Sequence, residues 1–454
     1  MGSRYLEGAY APLAEEYTAF DLPVTGTIPD GLDGRYLRNG PNPIGADPAS
    51  HHWFVGDGMV HGVRLRDGRA EWYRNRWVRS GRTQVSLGAE DPGGPTTPGM
   101  DNSPNTNVIG HAGRTFALVE AGAMPVELTD ELETVARCDF GGGLAHGYSA
   151  HPKRDPHTGE LHAASYYWGN PNSIEYTVVG PDAVVTRIEQ VPVPGNPMVH
   201  DMSLTGRHAV FYDLPVTFDL DVAAAGSTFP YIWNESYGAR VGVLPRGGAG
   251  VDDLRWFEVE PCYVFHPLNA YDAVGDDGHE LVVLDVVRHP RMFDRVRNGP
   301  DEGPSSLWRW TLDLVTGAAS EVQLDDRALE FPRVDERLVG QPHRFGWAVG
   351  LSADVDGVGF DDSRLLRYDL GTGEVVEREF GRGHAVGEAV FVPSSADAGE
   401  CDGWVLMLVA DPDRGASDLW VLHAADPAGE PAAVVHLPVR VPLGFHGNWV
   451  PSGS

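Results

Sequence analysis

The chain has 454 residues, with 65 Asp and Glu against 34 Lys and Arg, for a formal net charge of −31. So acidic a chain lacks the basic clusters that phosphate recognition needs, which excludes nucleic acid as a partner and electrostatic attachment to an anionic membrane surface. Hydrophobic residues at 42% and charged residues at 22% give a globular balance, while 56 Gly and 35 Pro leave little room for long helices. In chain order, the N-terminus has no apolar stretch that would serve as a signal peptide, and residues 5–18 are expected to hold a short helix. Short β-rich runs bounded by turn residues follow at 114–120, 161–168, 208–214, 280–288, 307–314, 365–370, 403–410 and 418–423. A single helical turn is expected at 325–329, and the apolar run 404–410 is far short of the roughly 20 residues a membrane-spanning helix needs. Cys138, Cys262 and Cys401 lie far apart with no CxxC, which argues against a disulfide framework or a zinc ribbon and for a reducing, cytoplasmic setting. The fold class is therefore all-β.

One turn recurs. Asp155-Pro156-His157-Thr158-Gly159, Asp313-Leu314-Val315-Thr316-Gly317 and Asp369-Leu370-Gly371-Thr372-Gly373 share the pattern D-x-x-T-G, and the last two are 56 residues apart. That step suits one four-stranded propeller blade, although the pattern is also a common hairpin. The stretch 215–250, with Phe218, Phe229, Tyr231, Trp233 and Tyr237, is the least strand-like and reads as a large excursion.

Of the 18 histidines, His51, His52, His157, His279 and His289 sit in polar or turn-like contexts and read as solvated. His151, His200, His266 and His446 differ, because each closes a short apolar or Gly-rich segment. Their separations of 49, 66 and 180 residues would place each on an inner strand near a propeller axis, where neutral imidazoles would form a site for a first-row metal. Spacing alone leaves buried core histidines as an equal reading. Metal-bound imidazoles need their second nitrogen oriented, and Glu120, Glu330 and Glu388, each within or ending an apolar segment, are candidates for that task. A strand end open to water is the competing reading for each.

These same residues carry a family resemblance that runs nearly end to end. It includes Gly31-Leu32-Asp33-Gly34-Arg35-Tyr36-Leu37-Arg38-Asn39-Gly40-Pro41-Asn42-Pro43, Gly56-Asp57-Gly58-Met59-Val60-His61-Gly62, Ala150-His151-Pro152-Lys153, Met198-Val199-His200-Asp201, Phe265-His266-Pro267-Leu268-Asn269-Ala270-Tyr271 and Val441-Pro442-Leu443-Gly444-Phe445-His446-Gly447. The chain resembles the carotenoid cleavage oxygenases, which include lignostilbene dioxygenases and the retinoid isomerase of the visual cycle. The resemblance implies one domain over 1–454, a seven-bladed β-propeller with a loop and helical dome over an axial metal site. It implies one Fe(2+) per chain held by His151, His200, His266 and His446, with Glu120, Glu330 and Glu388 accepting hydrogen bonds from ligand imidazoles. His61 matches a family motif away from the ligand positions and reads as structural.

The reaction so implied is cleavage of an alkene C=C by O2 to two carbonyl products, with no organic cofactor and no catalytic side chain beyond the iron site. In the lignostilbene branch a lysine before the first of these glutamates anchors the substrate phenol; here Val119 stands there, which favours a long apolar polyene, a carotenoid or apocarotenoid. Stilbene or phenylpropene cleavage is the alternative within the family. Val119, Phe265 and Phe445 are expected to line an apolar tunnel, with plain core packing as the other reading. The aromatic excursion is either part of an apolar patch for peripheral membrane contact or a folded-in dome. A non-enzymatic binding propeller and a calcium-dependent propeller hydrolase are the other classes, and a four-imidazole set counts against both.

Overall fold

The structure is a computed structural model that describes residues 3–300, 302–354 and 357–453. Its strands form seven sheets of four to six strands, the blades of a β-propeller, together with a two-stranded ribbon, Val216–Phe218 with Tyr231–Trp233, which belongs to the excursion. The edge strands meet around a common axis: Lys153–Arg154 contacts Met202–Leu204, which contacts Pro267–Val274, which contacts Leu329–Arg333. On the other side of the ring Val390–Pro393 contacts Gly447–Pro451, which contacts Asn107–His111.

The ring is closed twice. Gly447–Pro451, at the C-terminal end, becomes the inner strand of the first blade by pairing with Gly34–Pro41, while Val24–Gly26 adds an outer strand to the last blade by pairing with Ala433–His436. Both ends of the chain are thus tied into a structure with no open seam, which removes the edge on which a propeller would otherwise unzip.

Burial explains the sequence pattern. Middle strands lie between neighbouring blades and are covered on both faces, so His208–Asp213 (HAVFYD) is buried at every position and Glu280–Arg288 is an almost continuous apolar run. Outer strands face water on one side, and Val185–Pro192 alternates half-buried and exposed residues along most of its length.

Two expected helical elements are absent. Residues 5–18 contain only the 3-10 turns Arg4–Leu6 and Gly8–Tyr10, because Gly8 takes φ +56° and Ala11, ahead of Pro12, is extended at ψ 130°. The stretch 325–329 joins the end of strand Ala319–Asp325 to the start of Leu329–Arg333 without a helical turn. The D-x-x-T-G turns share one geometry: the aspartate Oδ1 accepts from the N–H two residues on, at 2.8, 2.8 and 3.0 Å, and its carbonyl accepts from the glycine N–H. Gly159, Gly317 and Gly373 hold φ of +73°, +82° and +77°, the left-handed region this closure requires. The Asp313 and Asp369 turns both join third and fourth strands of successive blades, so their 56-residue step is a blade repeat; the Asp155 turn joins first and second strands and lies outside it.

Candidate metal centre

Each of the four singled-out histidines stands one or two residues ahead of an inner strand: His151 before Lys153–Arg154, His200 before Met202–Leu204, His266 before Pro267–Val274 and His446 before Gly447–Pro451. That position puts them at one end of the axis, and one ligand atom from each lies within 4.8 Å of the others. The rings of His151 and His200, and of His151 and His446, are 4.4 Å apart between centroids.

Three of the four imidazoles are held by a carboxylate. His200 Nδ1 donates to Glu120 at 2.9 Å, His266 Nδ1 to Glu330 at 2.5 Å and His446 Nδ1 to Glu388 at 2.9 Å. An Nδ1–H facing a carboxylate leaves each Nε2 with a bare lone pair. Yet His200 Nε2 and His266 Nε2 approach to 3.1 Å, and His151 Nε2 is buried without a hydrogen-bond partner. Two bare lone pairs at that distance repel unless a proton or a metal cation lies between them. Adjacent ligands with metal–nitrogen bonds of about 2.1 Å stand about 3 Å apart at right angles, so the set fits a metal ion.

The backbone around the carboxylates is unusual. Ala121 and Phe331, the residues after Glu120 and Glu330, adopt φ +64° and +52°, rare for side chains with a Cβ. The Phe331 turn lets Glu330 Oε2 accept from the Phe331 N–H at 2.7 Å.

Behind the carboxylates lies a further layer whose role sequence reasoning missed. Glu120 lies beside Tyr166, whose buried phenol is pushed well above its ordinary range by burial and by that carboxylate. Glu330 accepts at its other oxygen from His289 Nε2 at 2.7 Å, and Glu388 from Arg333 at 2.8 Å and from the Gly447 N–H at 3.0 Å. Burial works against ionisation of Glu388, but Arg333 and His446 outweigh it and hold the carboxyl down to about 2. His151 has no such partner; its Nδ1 is 3.9 Å from Asp201, which is itself paired to Lys153 Nζ at 2.7 Å.

Several residues lie elsewhere than expected. His289 is not solvated: it is buried, ends the apolar strand Glu280–Arg288, and shares Glu330 with His266. The signal was present, since it closes an apolar strand just as the four cluster histidines do. His51 and His52 are also buried, because residues 51–54 fold inward, where the His52 ring stacks on Phe229 at 4.1 Å. His157 is exposed and His279 half-exposed, as expected. His61 lies within strand Gly58–Arg66 and its Nδ1 bonds the Tyr73 hydroxyl at 2.9 Å, away from the cluster.

On one side the cluster opens into a cavity of about 660 Å³, lined by His200, His266, His446, Glu120 and Glu330 together with Val119, Phe265, Phe331, Phe360 and Phe445. Phe265 meets the His200 ring edge-on at 5.1 Å, and Phe331 stacks on His266 at 5.3 Å, so an aromatic collar surrounds the imidazoles. The excursion folds over this cavity and contributes Phe218, Phe229 and Tyr231 to its wall. Leu220 and Trp168 stand at its lip, 74% and 48% exposed. No helix among the described residues is long and apolar enough to cross a membrane.

The chain that carries this site is matched closely among known proteins over nearly its whole length. The chain is 49% identical to a carotenoid cleavage oxygenase of Mycobacterium tuberculosis, over 99% of this chain and 97% of that one. A variant of the apocarotenoid oxygenase of Synechocystis superposes with TM-score 0.86 at 27% identity, over 98% of each chain, and a cobalt-substituted form of that protein with TM-score 0.85. The lignostilbene dioxygenase of Pseudomonas brassicacearum superposes with TM-score 0.85 at 28% identity, over 99% of each chain. The family described as retinal pigment epithelial membrane protein matches residues 10–451, nearly the whole propeller, and this chain belongs to it, an oxygenase family that contains the carotenoid and apocarotenoid cleavage enzymes.

Proposed function

We propose that the protein is an Fe(II)-dependent dioxygenase that cleaves a C=C bond of a carotenoid or apocarotenoid to two carbonyl products. The observation that carries this reading is the junction of the four imidazoles with an apolar, aromatic-walled cavity of about 660 Å³. When bound, ferrous iron supplies activation of O2. One alkene and one O2 give two carbonyls, each taking one oxygen atom, so no reducing cosubstrate is needed. The chain's own residues orient the reactants and keep water out. Phe265, Phe331 and Phe445 hold a flat polyene against the imidazoles, and the three glutamates fix the rings through Nδ1. Val119, beside Glu120 in the cavity wall, offers apolar contact where a phenol anchor would need a donor. Leu220 and Trp168 at the lip provide the apolar contact through which a cytoplasmic protein would take such a substrate from a membrane.

A second reading is cleavage of a hydroxylated stilbene or phenylpropene, favoured by the full-length likeness to a lignostilbene dioxygenase. One experiment separates the two. Holoprotein analysed for metal and then incubated with an apocarotenal or a hydroxystilbene under 18-O2 is expected to contain about one iron per chain and to give two aldehydes, each bearing one label, from the apocarotenal. Cleavage of the stilbene alone reverses the order of the readings. Protein that takes up no iron after reconstitution overturns both.

A further inference from the structure

The imidazole cluster is a partition between two cavities of opposite character. Opposite the apolar cavity, His151, His266 and His446 also face a second cavity of about 100 Å³ that reaches the far surface past Lys153, Arg333 and Glu336. Those three side chains are 22%, 13% and 51% exposed, so this cavity communicates with solvent. Its wall carries two cations, Lys153 and Arg333, against three carboxylates, Asp201, Glu336 and Glu388. Among these charged groups Arg333 donates to Glu336 at 2.8 Å and Lys153 to Asp201 at 2.7 Å, and of the neutral polar groups Asn448 Nδ2 donates to Asn107 Oδ1 at 3.0 Å.

We propose that this polar cavity is the port by which a hydrated divalent cation reaches the four histidines, and that the apolar cavity serves the alkene alone. A dication stripped of water along an aromatic wall loses hydration with nothing to replace it, a cost of many kcal/mol. In the polar cavity, carboxylates and amide oxygens replace water step by step, and the excess of one carboxylate over the cations draws positive charge inward. About 100 Å³ holds roughly three waters, enough for an ion that sheds part of its shell on entry. Three of the four imidazoles line this side, so the ion meets its ligands without crossing the substrate's path. This assignment rests on the reading that the cluster binds a divalent metal.

The test measures the rate of Co2+ uptake by the full-length apoprotein, by stopped-flow absorbance at low ionic strength. Three substitutions are compared: Glu336→Gln at the polar port and Leu220→Lys at the exposed lip of the apolar cavity each add one positive charge, and Glu336→Lys adds two. Expected are an uptake rate about threefold lower in Glu336→Gln and about tenfold lower in Glu336→Lys, with Leu220→Lys unchanged. In both Glu336 variants the final cobalt occupancy stays at the wild-type level. The gap closes in about 0.5 M salt, which screens a steering charge but would not repair a misfolded site. Equal rates in wild type and Glu336→Lys, or a larger slowing in Leu220→Lys, overturn the port. A wild-type apoprotein that binds no cobalt overturns the metal reading instead, so the two failures are distinct.

Discussion

His200 and His446 occupy corresponding corners of the metal centre, yet their surroundings give them different basicity. Both are buried, and each donates Nδ1–H to a glutamate at 2.9 Å. Burial lowers both imidazoles, but at His200 the Glu120 carboxylate outweighs it and the ring rises above the ordinary 6.5. At His446 burial prevails over Glu388, the neighbouring imidazoles of His266 and His200 add repulsion, and the ring falls to about 4. The contrast lies behind the carboxylates. Glu388 shares its charge with Arg333, while Glu120 is backed by a neutral phenol and spends its charge on one imidazole. His151, with no carboxylate in hydrogen-bond reach, is driven well below 6.5 by burial and then by the other three rings. Carboxylate backing therefore makes these corners unequal donors, His200 stronger than His446 and His151.

Removing the stronger donor of this pair gives the largest expected effect. His200→Ala is expected to abolish metal retention, measured by metal analysis after gel filtration, while circular dichroism shows an intact propeller. Retained metal with wild-type turnover would remove His200 from the site.

Neutralising the carboxylates one at a time sharpens the difference between the corners. Glu120→Gln and Glu388→Gln should each weaken metal affinity by about 10–100-fold, as loss of an outer partner usually does. Only Glu388→Gln should also destabilise the apoprotein. It leaves Arg333, 13% exposed, with half-exposed Glu336 as its remaining carboxylate, a change worth about 3 kcal/mol. Glu120→Gln should stay within about 1 kcal/mol of wild type. Denaturant titration of both apo variants checks the pair, and equal destabilisation would mean that Arg333 does not distinguish the corners.

The two corners were also unequally legible in the sequence. All four histidines could be singled out because each closes an apolar segment just ahead of an inner strand, and the three glutamates because a carboxylate in an apolar run is costly. Tyr166 and Arg333 carry no such mark, and His289, which does close an apolar strand, gives no hint of its partner: the carboxylates they meet are 46, 55 and 41 residues away and reach them only once the blades close. The fold divides in the same way. Every predicted strand, from 114–120 to 418–423, corresponds to a middle strand of a blade, where burial writes an apolar run in most of them and an alternation in Ser306–Asp313. Outer strands such as Ala319–Asp325 and Glu374–Glu379 are charged and half-exposed, and inner strands such as Lys153–Arg154 are too short to show a period. The short helix expected at 5–18 failed because Gly8 and Pro12 acted against it locally, which a composition window does not register.

The smallest effect concerns buried imidazoles that no carboxylate rescues. His52, His61 and His162 lie outside the metal cluster, and burial first, aided by the His51 ring at His52 and by arginines at His61 and His162, holds each down to about 3. His162 accepts from Arg246 at Nε2, at 3.3 Å, so a proton there would face a guanidinium. A folded-state value below the unfolded 6.5 means that the unfolded chain binds the proton first. The stability these rings contribute is therefore complete above pH 6.5 and is lost as pH falls from 6.5 towards 3, by at most about 1.4 kcal/mol per pH unit for each ring. Between pH 6.5 and 5 the depressed carboxyl of Glu388 stays ionised in both states, so the histidines dominate the slope. Thermal unfolding of the apoprotein should move to lower temperature across that interval, and His162→Gln should flatten the dependence by up to one ring's share. His200 titrates in the opposite sense, its raised value favouring the folded state at low pH, so the apoprotein slope should steepen in His200→Ala and not in His61→Gln. A slope unaltered by the loss of His200 would mean that Glu120 does not lift its imidazole, and the contrast between the two corners would fail at its stronger one.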